Sequence, residues 1–184
     1  MSPILPLFRR VPAPLLTTAS AGLLAAGLLF ADEKPSRALS VAPGGPGGTV
    51  DLRLAPDLSF TDDSSGNFPI QGANLSDGKI ASDRTTAIFF GTSHCWNTNR
   101  EAERFVELYR RHAAEARFLV VDLEHPSADQ RLLITRFFGG YIPHVTFLDR
   151  RGEAVYNRSG ETARERGDVR GLEEMLRKAD NRKS

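Results

Sequence analysis

Apolar residues are spread unevenly along the chain, and their spacing divides it into stretches of different character. From Leu15 to Ala31 nearly every position is small or apolar. From Pro35 to Gly48 proline and glycine recur too densely for helix or strand. Beyond these, TVDLRL from Thr49 alternates as an edge strand does, and the turn-rich residues up to Arg84 predict loops with short strands. From Thr85 the periods sharpen. TTAIFFG is a short run of β-branched and aromatic residues, which predicts a buried strand. In NREAERFVELYRRHAAE, the residues Ala102, Phe105, Val106, Tyr109 and Ala113 recur at helical spacing with charges between them. ARFLVVDLE predicts a second buried strand. Ser127 and Gln130 have capping-box spacing and open a helix with an apolar stripe of Leu132, Leu133, Phe137 and Phe138, ended by Gly139 and Gly140. HVTFLD and EAVYNRS, joined by RRG, form a hairpin. Finally DVRGLEEMLRKAD opens at Asp168 as N-cap and sets Val169, Leu172, Met175, Leu176 and Ala179 on one face.

The order is strand, helix, strand, helix, hairpin, helix. Two strands joined through a helix run parallel, and a hairpin adds antiparallel strands. The expected class is therefore α/β, a central mixed β-sheet flanked by helices on both faces. No internal repeat is present.

Composition and charge then narrow the setting. A net charge of +1 gives no reason to expect nucleic acid as a partner. A hydrophobic content of 40% supports a core without disulfide staples, and with one cysteine no internal disulfide can form. Arg9 and Arg10 flank the apolar stretch on one side and DEKPSR on the other, the order of an export signal. We expect residues 1–31 to be a signal peptide or an uncleaved signal anchor, with 11–31 the anchoring part, and 32–48 to be a linker. A domain over 49–184, with its core at about 80–180, should then lie outside the cytoplasm, periplasmic or secreted, touching membrane only through the N-terminal segment. No cysteine stands in that segment to carry a lipid. No phosphate-binding loop, hydrolase elbow or metalloprotease motif is present, and no cofactor is expected.

The candidate chemistry lies in GTSHCWNTNR, residues 91–100, where the first buried strand gives way to a helix. The unpaired amides and dipole of a helix N-terminus favour a thiolate, so Cys95 reads as a reactive thiol. Its other reading is a small, inert hydrophobe. His94, when protonated, adds a positive charge, and Thr98 shares a helix face with Cys95 and could donate a hydrogen bond to it. Trp96 reads either as an exposed lip for a partner or as a residue packed on the loop. A metal site of Cys95, His94 and His144 has suitable donors but no spaced motif. His112 and His125 read as surface residues.

This order of elements, with a cysteine at the first strand-to-helix turn and YIPHVTFLDRRGEAVYNRSGE later, resembles the thioredoxin family over about residues 80–180. The resemblance implies that Pro143 is a cis-proline facing a nucleophilic Cys95, and that Ile142 offers its backbone to an extended peptide. The chain departs from the family pattern at three positions. His94 replaces the tryptophan before the nucleophile, Thr98 replaces the resolving cysteine, and Phe89 replaces a buried acid six positions before the nucleophile. The two-cysteine cycle is unavailable. What remains is exchange through Cys95 alone, by mixed disulfides with protein thiols or disulfides or with low-molecular-weight thiols. The alternatives are a redox-inactive peptide-binding module at Trp96 and Pro143, and metal carriage.

Overall fold

The computed structural model describes residues 47–182, so the proposed signal or anchor and nearly all of the linker lie outside the described residues. In chain order the elements are β1 (Val50–Leu54), β2 (Ile70–Ala73), β3 (Thr86–Gly91), α1 (Trp96–His112), β4 (Arg117–Asp122), α2 (Ala128–Phe137), β5 (His144–Leu148), β6 (Ala154–Ser159) and α3 (Arg170–Asp180). No helix among the described residues is long and apolar enough to cross a membrane.

Four strands form the central sheet in the order β4-β3-β5-β6. β3 and β4 are parallel, with Thr86 opposite Arg117 and Gly91 opposite Asp122. β3 and β5 are antiparallel, as are β5 and β6. Every residue of β3 is buried, because helices cover both of its faces. Alternation along the strand divides the core in two. Ala87 and Phe89 join Phe105, Phe118, Phe147 and Leu172 on the side of α1 and α3. Ile88 and Phe90 join Leu119, Val121, Leu133 and Phe137 on the side of α2. Phe105 binds the first layer together, its ring 5.4 Å from those of both Phe89 and Phe118.

The structure corrects several local readings. β1 does not join the central sheet; it pairs with β2 in a separate antiparallel ribbon. That ribbon lies on α1, where the Tyr109 hydroxyl accepts a hydrogen bond from the Asp51 amide. The capping box of α2 is formed, but Leu132 is 70% exposed and does not belong to the apolar stripe. Its place inside is taken by Gln130, whose Nε2 donates to the carbonyls of Leu75, Asp77 and Val120 and ties the preceding loop to the sheet. α2 stops at Phe137 with Phe138 already extended, ahead of Gly139 and Gly140. α3 begins one residue later than expected, with Val169 at the N-cap, although the Asp168 carboxylate still accepts from the Arg170 amide. α1 begins at Trp96, three residues before its apolar period, with Cys95 at the N-cap, in keeping with the reading of Cys95 at a helix N-terminus.

Candidate functional site

β3 ends at Gly91, and residues 92–95 turn the chain into α1. His94 holds a left-handed backbone, φ +51°, which histidine tolerates better than β-branched residues do. Cys95 follows in extended conformation as the N-cap of α1, its carbonyl accepting from the Asn99 amide at 3.0 Å and its side chain capping nothing. The thiol is partly exposed. Because Phe90 pairs with His144 across β3 and β5, Pro143 lies at the same end of the sheet as this turn. The Ile142–Pro143 peptide bond is cis, and the Pro143 carbonyl accepts from the Gly160 amide at 2.7 Å. Tyr141, just before it, is 75% exposed.

The parallel and antiparallel pairings and the helices on both faces are those the order of elements implied, and the cis-proline at the end of the sheet that bears the cysteine turn is the one the resemblance implied. The fold is thioredoxin-like. No family model matches the sequence, and no curated protein matches it. Solved structures of thioredoxins are similar in chain path at low identity. The germline-specific thioredoxin Deadhead from Drosophila melanogaster is 19% identical, over 53% of this chain and 83% of that one, with a TM-score of 0.41. A Schistosoma mansoni thioredoxin is 18% identical over 54% and 82%, and the Malassezia sympodialis thioredoxin Mala s 13 is 16% identical over 54% and 78%, each with a TM-score of 0.41.

The remaining candidates are placed as follows. His94 is exposed and Trp96 half-buried. The Arg100 guanidinium stands over the Trp96 ring at 5.6 Å from its centroid. Thr98 is fully buried. Its methyl fills the space above Gly91, where a Cβ would come within 2.6 Å of it. Its hydroxyl has no hydrogen-bond partner, so the expected bond from Thr98 to Cys95 is not formed. His144 does not reach toward Cys95. Its ring lies on the α2 side between Phe90 and Phe138, with its nitrogens engaged by the Ser159 hydroxyl, the Phe137 carbonyl and the Thr146 hydroxyl. Burial holds its pKa below the ordinary histidine range. Among the described residues no group of three His, Cys, Asp or Glu side chains could hold a metal ion. His125 is exposed as expected, whereas His112 is partly buried against Glu115 and Glu173.

Two carboxylates that sequence reasoning missed flank the cysteine. Asp63 Oδ1 accepts from the Trp96 amide at 2.9 Å, so the first free amide of α1 is already capped by an acid. Glu124 Oε2 accepts from the Ser93 amide at 2.8 Å. Hydrogen bonds from the Ser93 amide and hydroxyl hold the Glu124 carboxyl below its ordinary range, helped by the neighbouring His125 and His94. Asp63 belongs to a strap, residues 57–68, laid over the start of α1. Buried Asn99 fastens the strap, its Nδ2 donating to the Ser59 carbonyl at 2.6 Å and the Ser65 hydroxyl at 2.9 Å. Phe60 is held under the Arg166 guanidinium, 3.6 Å from the ring centroid, and Phe68 packs on Phe89. Nothing local in SFTDDSSGNF points to Cys95; the contact joins residues 33 apart.

Proposed function

We propose that this protein carries out thiol–disulfide exchange through Cys95 alone. The observation that supports the reading best is the placement of the sole cysteine: partly exposed, at the N-cap of α1, at the end of the sheet where cis-Pro143 and exposed Tyr141 also lie. In the step we propose, the Cys95 thiolate attacks one sulfur of a partner disulfide. A new bond forms from Sγ to that sulfur, the old S–S bond breaks, and the departing thiolate takes a proton from water. Cys95 ends oxidised in a mixed disulfide and the released thiol is reduced. Thr98 stands where a resolving cysteine would, so an external thiol must attack the adduct and free Cys95. Trp96, Ile142 and Pro143 would receive the partner, and His94 would border the thiol.

The second reading is a peptide-binding module without redox chemistry. Asp63 favours it, because a carboxylate on the Trp96 amide opposes negative charge at the adjoining residue. One experiment separates the two. The purified protein is incubated with a neutral disulfide, 2-hydroxyethyl disulfide, and its intact mass is followed. A Cys95 adduct that persists until dithiothreitol is added supports exchange. An unmodified protein at a reagent excess that labels a free cysteine peptide would reject exchange in favour of the binding module. The proposed export of the domain, with residues 11–31 as signal or anchor, would put this chemistry in a compartment where disulfides persist.

A further inference from the structure

β4 is an edge strand of the central sheet, paired with β3 on one side only. In a parallel pair, alternate residues of a strand bond the neighbour. The Arg117 amide donates to the Thr85 carbonyl and the Leu123 amide to the Gly91 carbonyl. Arg117, Leu119, Val121 and Leu123 therefore serve β3, and Phe118, Val120 and Asp122 turn their backbone groups outward. Along that outward edge the acceptors are taken. The Phe118 carbonyl accepts from the Thr49 amide at 2.9 Å, the Val120 carbonyl from Gln130 Nε2 at 2.8 Å and the Asp122 carbonyl from the His125 amide at 3.3 Å. The donors are not: the Val120 and Asp122 amides have no acceptor among the described residues. Val120 is 1% exposed, and a buried amide is almost always paired.

This edge lines a cleft of about 460 Å³ between the end of the strap, β2 and the start of α2. Ligand clefts run from about 300 to 1,000 Å³. Phe68, Ile70 and Leu75 form its apolar wall, on the same side of the sheet as Val120. Asp122, two residues on, shares that face by alternation and brings a carboxylate to the cleft. Its oxygens accept from the Glu124 amide and meet the His125 ring, which is 82% exposed. No lysine or arginine lines the cleft among the described residues.

What this edge lacks is an acceptor, and Asp122 opposes an anionic one. A neutral carbonyl is what remains. Two amides two residues apart stand about 6.6 Å from each other along a strand, the spacing of alternate carbonyls in an extended chain. We propose that the cleft is a docking site for an extended segment of a partner protein, with an apolar residue followed two positions later by lysine or arginine. Its carbonyls accept from the Val120 and Asp122 amides as an added edge segment does. The apolar side chain rests on Phe68 and Leu75, and the cation two positions on meets Asp122. Pro143 lies on the other side of β3, so this surface is separate from the one beside the cis-proline. The inference holds whether or not Cys95 reacts.

The test titrates the full chain, labelled with nitrogen-15, with acetyl-Ser-Leu-Ser-Lys-Ser-amide and with its Glu and Gln counterparts. We expect the Lys peptide to shift the Val120 and Asp122 amide resonances most and to bind most tightly. Asp122→Asn, which keeps an oxygen for the Glu124 amide, should weaken the Lys peptide about threefold and leave the Gln peptide unchanged, the size of a partly solvated charge pair. Leu75→Ser should weaken all three. Equal binding of the Lys and Glu peptides by the wild type overturns the chemistry proposed, and this arm needs no variant. Shifts confined to the Tyr141–Pro143 side, or no binding at millimolar peptide, overturn the site. Self-association of the chain that Asp122→Asn abolishes, without peptide binding, gives the cleft to a second copy and also overturns the proposal.

Discussion

The carboxylate of Asp63 gives the most direct handle on Cys95. Asp63→Asn keeps the shape of the side chain and an oxygen to accept from the Trp96 amide, and removes only the charge. A negative charge at an exposed helix N-terminus stabilises the helix by about 0.3–1 kcal/mol at low salt. The same charge opposes a thiolate at the N-cap by a similar amount. The one term should therefore appear twice with opposite signs. At 1.4 kcal/mol per factor of ten, Cys95 should react about two- to fivefold faster in the variant. The domain should lose about 0.3–1 kcal/mol of stability. Pseudo-first-order alkylation by neutral iodoacetamide, followed by intact mass, reads the first. Urea denaturation of the reduced protein reads the second. Added salt should shrink both differences, since the site is open to solvent. Equal or slower alkylation of Asp63→Asn at low salt would refute the argument, whatever the stability change, because the Asp63 charge would then not act at Sγ.

Glu101 and Arg104, each 3% exposed, form a buried ion pair that joins α1 to the chain before α3 through the Asp168 carbonyl and the Thr162 hydroxyl. Glu101→Ala strands the arginine and should cost about 3 kcal/mol in urea denaturation; a loss under about 1 kcal/mol would mean the pair is hydrated. Burial raises the Glu101 pKa above its ordinary value of 4.5, against the pull of Arg104. Its contribution to stability is therefore fullest below pH 4.5 and lost as pH rises through the raised value, so Glu101→Gln should flatten the stability profile there. His144 acts in the other direction: buried and held below 6.5, it stays neutral in the fold while the unfolded chain takes up a proton. Its contribution is present above pH 6.5 and declines as pH falls below it, a slope that His144→Gln should remove from denaturation midpoints taken between about pH 7.5 and 5.5. Thr98→Cys puts a second thiol one turn from Cys95 and should yield an intramolecular disulfide under mild oxidation, with a reductase activity absent from the wild type; two persistently free thiols would contradict the first-turn geometry.

Most of the fold was legible because the strongest signals are local. TAIFF and RFLVVD read as buried strands from their short length and their β-branched and aromatic residues, and the Ser127–Gln130 box marks a helix start through hydrogen bonds made within four residues. The cis-proline and the lone cysteine were placed from the order of elements together with the resemblance. Boundaries were less secure, since Trp96–Thr98 carry no apolar period of their own, although Thr98 packs against Gly91 and the Asn99 amide bonds the Cys95 carbonyl. Leu132 looked like core by type, and the register of α2 against the sheet turned it outward while drawing in Gln130, which three carbonyls could satisfy.

The surroundings of the thiol were decided by tertiary structure. Asp63 meets Trp96 across 33 residues of turn-rich chain, and Glu124 meets Ser93 across 31. Neither contact leaves a trace in sequence, because an aspartate in a loop that caps a distant helix is written like one that faces water. His144 stands one residue from Pro143, close enough in sequence to suggest a ligand, but the alternation of β5 sends its ring through to the α2 side. The chain alone specified which thiol could react and that no second one could answer it. Asp63 and Glu124 reach the turn around Cys95 only through the strap and the end of β4, because electrostatic contacts depend on distance in space and not on order along the chain.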